Sequence, residues 1–221
     1  VVTLAPTETT APTMTATITL TPEPTLGIGS SMINEIDGAE LAYIPEGNVI
    51  VGSGGLLTTD LEMDRYSLDN YETIHIDKFW MYKYPVTNTQ YRNCIINQDC
   101  NGDLTYFPEN REPALSINWY DAEKYCNYIG GELPSGEHWI RGTKRDNENQ
   151  PPNLITNDGL EITSYTGIVL FDFVWEWLSD CYYDYYDFVC VQRYGDFNIP
   201  YRAKPNTNKN NVGFRCILTF N

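Results

Sequence analysis

Residues 116–135 read SINWYDAEKYCNYIGGELPS, and this stretch decides the fold. Ser116-Ile117-Asn118 lead into a helix expected over roughly Trp119 to Ile129. Ala122, Tyr125, Cys126 and Ile129 share one face of it at i, i+3, i+4, i+7 spacing. Gly130-Gly131 end it, since glycine adopts the left-handed backbone that closes a helix. Pro134-Ser135 then open a short helix, with Ser135 as N-cap and Glu137 and Trp139 behind it.

Working outward, Thr87-Asn88 precede another helical pattern that runs through Ile96, with Thr87 as N-cap. Leu41–Gly47 reads as a first strand and turn, and Val49–Gly52 as its partner. Tyr71–Tyr84 is rich in β-formers and alternates well enough for one strand. Residues 146–165 are polar and loop-like, 168–178 return to apolar and aromatic types, and 212–218 form a closing strand. Short strands, two or three helices and long loops make the class α+β. No internal repeat is present.

Hydrophobic residues make up 42% of the 221-residue chain, enough for a real core. No apolar run approaches the roughly 20 residues that cross a bilayer. The formal net charge of −16 repels a phosphate backbone, which excludes nucleic acid as a partner and disfavours contact with anionic membranes. Residues 1–26 are dominated by threonine and proline and lack aromatics, which predicts a disordered, semi-rigid stalk ahead of a folded domain over 27–221. A chain opening on Val1 behind such a stalk is expected to have lost an upstream segment, and a membrane-anchored parent fits. Six cysteines without a CxxC or CxxH pair read as disulfides in an oxidising compartment, hence extracellular or cell-surface display.

Six segments together resemble the formylglycine-generating-enzyme (sulfatase-modifying factor) domains, a branch of the C-type lectin fold. They are Tyr43–Gly47, Phe79–Tyr91, Trp119–Cys126, Gly130–Ser135, Val174–Asp180 and Asn211–Cys216, in the family's order over about 39–218. The resemblance implies a C-type lectin fold of the formylglycine-generating type. It also implies a disulfide from Cys126 to Cys216, closing about 90 residues and worth about 4–5 kcal/mol in the chain-entropy picture. Cys94 and Cys100 flank a short loop and read as a local bridge.

Departures from the family bear on function. Its enzymes resemble one another in two late cysteines that bind copper and activate oxygen. The corresponding segment here, Gln192–Arg202, holds no cysteine, and copper(I) needs soft thiolates in close pairs. No catalytic residue is therefore assigned. The family's calcium site also implies one candidate ligand, Glu176. The Gly-Asn that precedes the motif in the family is Asp172-Phe173 here, and phenylalanine offers none of the oxygens calcium requires. No cofactor is expected.

The segment Cys181–Asn198, CYYDYYDFVCVQRYGDFN, is where a working surface is expected. Tyrosine supplies rigid contact area with a polar tip at low entropic cost. Cys181 and Cys190 are read as a staple at the base of a Tyr-rich loop, which pre-organises it. The binding residues expected are Asp172, Phe173, Tyr182, Tyr183, Asp184, Tyr185, Tyr186, Phe188, Tyr194, Asp196 and Asn198, while Phe197 and Tyr201 are expected beneath them. The segment also resembles the variable region of diversity-generating-retroelement proteins, where adenines in AAY codons are changed. Nearly all residues of 181–198 are reachable that way; Gln192 is not and must be an unvaried position.

Elsewhere, His75 and His138 lie far apart and form no Ser-His-Asp or His-x-x-x-His pattern. Gly52–Gly55 lacks a following GK[ST], and Trp119, Trp139, Trp175 and Trp177 read as core. The resulting expectation is a non-catalytic module binding a protein or glycan ligand, with protein favoured by the tyrosines. The alternatives are a formylglycine-generating oxidase using Cys181 and Cys190, and a sensor or accessory domain of a membrane-anchored kinase-type protein.

Overall fold

Among the described residues, each of three α-helices starts at a side chain that takes up a backbone N–H the helix leaves unsatisfied. The computed structural model describes residues 25–52, 71–143, 156–157, 161–171, 173–184, 187–194 and 197–220. It places α1 at Asn88–Ile96, α2 at Trp119–Tyr128 and α3 at Gly136–Gly142. At α1 the Thr87 hydroxyl accepts from the Gln90 amide while Gln90 Oε1 accepts from the Thr87 N–H, a reciprocal capping box. Asn118 and Ser135 cap α2 and α3 through the amides of Asp121 and His138. The stripe read from the sequence, Ala122, Tyr125, Cys126 and Ile129, is fully buried.

In chain order the strands are β1 (Ser31–Ile33), β2 (Glu40–Ile44), β3 (Gly47–Gly52), β4 (Tyr71–Ile76), β5 (Phe79–Tyr82), β6 (Thr156–Asn157) and β7 (Glu161–Thr163). They continue with β8 (Val169–Phe171), β9 (Trp175–Asp184), β10 (Asp187–Tyr194), β11 (Phe197–Ala203), β12 (Val212–Phe214) and β13 (Ile217–Thr219). One sheet has the order β1-β2-β5-β13 and a second the order β11-β10-β9-β12. A β3-β4 ribbon and a small β6-β7-β8 sheet complete the set.

Three runs differ from the sequence reading. Tyr71–Tyr84 is two strands: β4 pairs with β3, whereas β5 lies between β2 and β13. Ile76 and Phe79 both enter the same core cluster, and an odd spacing cannot be placed on one face of a single strand. The closing strand divides into β12 and β13 because Arg215 and Cys216, both fully buried, turn inward between them. The polar run 146–165 contains β6 and β7; its residues 146–155, like stalk residues 1–24 and residues 53–55 of the glycine-rich turn, lie outside the described residues.

Two hydrophobic clusters sandwich the second sheet. Trp177 and Cys190 join the cluster of α1 and α2, and Leu178 and Val191 join the cluster that holds Trp139 of α3. Disulfides Cys94–Cys100, Cys126–Cys216 and Cys181–Cys190 use every cysteine. The architecture is α+β, as the sequence reading expected.

Candidate functional site

The stretch expected as a loop is a β-meander. β10 pairs antiparallel with β9 on one side and β11 on the other. Directly paired residues share a face of a sheet and successive ones alternate, so Tyr182 and Tyr183 fall on opposite faces. Tyr183 opposes Phe188, with ring centroids 5.2 Å apart, and Tyr183 is 84% exposed. Tyr182 turns to the other face, packs against the Trp139 cluster and lies beneath the Arg202 guanidinium, 5.3 Å from the ring centroid. Asp187 opposes Asp184 at the tip and is held by Lys204 at 2.9 Å.

The strand pairing anchors this hairpin firmly. Cys181 and Cys190 are cross-strand partners joined by a disulfide. Closer to the core, two more residues of β9 than of β10 lie between the Trp177/Gln192 and Cys181/Cys190 pairs. That bulge is latched to helices: Trp119 Nε1 donates to the Leu178 carbonyl at 2.7 Å, Ser179 N to Pro134 O at 2.9 Å, and Gly136 N to Asp180 Oδ2 at 2.8 Å. Burial raises the Asp180 carboxyl above its usual range, opposed by the Gly136 N–H. Burial pulls the neighbouring Arg193 guanidinium down to about 10, opposed by Asp180 and Glu137.

Of the expected binding residues, the structure joins Tyr183 and Phe188 at the hairpin. Phe173 is exposed but stands apart, next to Phe171 with centroids 5.8 Å away. Tyr201, expected beneath the surface, is 42% exposed, edge-on to Trp175 and covered by Lys209 Nζ at 4.0 Å. The backbones of Asp184, Tyr194 and Asn198 belong to β9, β10 and β11. Asp172, Tyr185, Tyr186 and Asp196 lie outside the described residues.

The donor sets do not fit the family's metals. A copper(I) site requires thiolates, and every Sγ here is bonded to another. Glu176 is buried with both carboxylate oxygens taken by Arg215, Oε2 from Nε at 2.6 Å and Oε1 from Nη2 at 2.7 Å. Both oxygens therefore face a guanidinium, whose charge opposes a second cation at the same carboxylate.

The sequence reading missed a cleft of about 690 Å³ between the loop that follows α1 and the turn at Asn208–Asn210. Tyr91 and Phe107 line its inner wall and Tyr106 stands 77% exposed at its rim. Three carboxylates, Asp103, Glu112 and Asp121, face it, and no lysine or arginine lines it among the described residues. Ser116 in its wall holds a left-handed backbone, φ 62°, a conformation that non-glycine residues adopt rarely. The available signal was the density of Asn and Asp in 97–103 and 206–211.

The fold has counterparts among solved structures. PvdO from Pseudomonas aeruginosa aligns at 17% identity over 89% of this chain and 100% of that chain, TM-score 0.60. CarF aligns at 15% identity over 83% and 99%, TM-score 0.54. Treponema denticola variable protein 1 aligns at 14% identity over 86% and 98%, TM-score 0.54. At these identities the likeness is one of fold. No curated protein matches the chain in sequence. The profile of the sulfatase-modifying factor enzyme 1-like domain matches residues 32–152, which is more than half of the chain, and the protein therefore belongs to the sulfatase-modifying factor enzyme 1-like domain family.

Proposed function

We propose that this member of the family is a non-catalytic, protein-binding module displayed outside the cell, with the β9–β10 hairpin as its working surface. The observation that carries the reading is the conversion of all six cysteines to disulfides, one of which staples a hairpin that presents Tyr183 beside Phe188. The thiols that oxidase chemistry requires are spent on rigidity. A stapled strand pair presents its aromatic side chains with little left to order on binding. Three disulfides also suit an oxidising, extracellular setting. Among the described residues no helix is long and apolar enough to cross a membrane.

Diversification of this surface by a retroelement is part of the proposal. The name of the Treponema denticola protein, a variable protein, accords with it. Gln192, the residue outside the reachable codon set, is 1% exposed, as an unvaried scaffold position would be. Val189, Cys190, Val191 and Arg193 are buried around it, so variation should spare 189–193 and fall on exposed positions such as 173 and 183.

Two measurements test the proposal. Sequences of the gene from sibling strains should differ mainly at exposed positions within 172–198; uniform drift along the chain would count against diversification. Incubation with copper, oxygen and a cysteine-bearing sulfatase peptide should yield no aldehyde. Aldehyde formation would establish an oxidase and overturn the reading.

A further inference from the structure

We propose that the cleft between the post-α1 loop and the Asn208–Asn210 turn is a metal-independent site for a neutral carbohydrate. It is separate from the hairpin and does not depend on the reading above. At about 690 Å³ it falls within the range of small-ligand sites. Its charge excludes one ligand class at once: three carboxylates with no lining cation repel phosphate, sulfate and carboxylate groups.

The carboxylates are already oriented. Asp121 Oδ1 accepts from Asn101 Nδ2 at 3.1 Å, and its Oδ2 accepts from the Asn118 amide. Glu112 Oε2 accepts from Asn110 Nδ2 at 3.2 Å, and Asp103 Oδ1 from the Thr105 N–H and hydroxyl at 2.9 Å each. Each carboxylate keeps further lone pairs to offer. Beside them stand the exposed amides of Asn208 and Asn210, which donate as well as accept. An ammonium or guanidinium group only donates and would leave those amide N–H groups unused. A sugar hydroxyl does both, and a ring of hydroxyls matches a wall that carries acceptors and donors together.

The exposed Tyr106 ring supplies the remaining requirement. Its π face is electron-rich, and the polarised C–H groups on one side of a pyranose are suited to lie against it. The rim is held before any ligand arrives: Cys94–Cys100 closes the loop immediately before Asn101, and Tyr91 Oη donates to the Asn101 carbonyl at 2.9 Å. Pre-organisation of this kind removes part of the ordering cost.

The test uses the full 221-residue chain on an array of neutral mono- to tetrasaccharides of glucose, galactose, mannose, fucose and N-acetylhexosamines, with EDTA present. A tri-lysine peptide and N-acetyl-arginine amide serve as cationic probes by calorimetry. The expected result is binding to at least one glycan in EDTA, weakened at least tenfold in both Tyr106→Ala and Asn210→Ala and unchanged in Tyr183→Ala. Thermal unfolding of each variant should match that of the parent. Absence of any glycan binding, binding only with calcium, binding of the cationic probes alone, or indifference to Tyr106→Ala would each overturn the proposal.

Discussion

Arg215 shows how one residue can organise the centre of this fold. All five of its N–H groups are used: two on Glu176, and the others on the carbonyls of Tyr82, Lys83 and Val169. It thereby joins β5, β8 and β9 at the break between β12 and β13. Both members of the pair are removed from solvent, so deleting one strands the other's charge. Glu176→Ala should lower stability by about 3–5 kcal/mol in urea unfolding; a loss under about 1 kcal/mol would mean that water reaches the guanidinium. His138 offers a pH test. Burial lowers its pKa below 6.5, opposed by Glu132 and Glu137, and Nδ1 lies 2.8 Å from the Ser135 hydroxyl. A lowered folded pKa means that the unfolded chain takes up the proton first. The His138 contribution is thus present above pH 6.5, is lost as pH falls through the folded pKa, and is constant below it. Urea midpoints between about pH 7.5 and 5 should fall more steeply for the parent than for His138→Gln; parallel profiles would contradict the assignment.

Among the elements, the helices were legible and the strands only in part. A helix carries its own caps: Thr87 with Gln90, Asn118, and Ser135 all lie within a few residues of the turns they complete. A strand is defined by its neighbours. The Cys181–Cys190 staple was legible, but nothing local to CYYDYYDFVC states that its two halves are paired strands, or which ring falls on which face. The consequence is a separation of two adjacent tyrosines. Tyr182 packs inward beneath Arg202, and Tyr183 projects outward. Tyr182→Ala should therefore lower stability by about 1–3 kcal/mol, and Tyr183→Ala by no more than about 0.5 kcal/mol. Equal losses in chemical denaturation would show that both rings are structural. For binding experiments Tyr183 is consequently the informative substitution.

At the scale of the whole molecule, what could be read in the sequence was the ordered set of six segments that resemble the family. What could not be read was what distant segments build jointly. The cleft needs residues near 101–117 and 208–210, and no spacing rule brings those together. The same distance governs stability. Cys126–Cys216 spans 90 residues and ties α2 to the edge of β13, beside Gly131, where a Cβ would run into the Ile217 carbonyl oxygen. Cys94–Cys100 spans only 6. In the chain-entropy picture the long bridge is worth about 4–5 kcal/mol and the short one about 2 kcal/mol. Replacing Cys126 and Cys216 together with alanine should lower the unfolding temperature by roughly 8–20 °C for a domain of this size. The Cys94/Cys100 pair of substitutions should cost less than half of that. The long-range pair holds the helix layer against the first sheet, whereas the short pair only shapes one loop. Calorimetry of the two double variants decides the order, and a larger loss from the short bridge would mean that the post-α1 loop, rather than the α2–β13 seam, limits the stability of the fold.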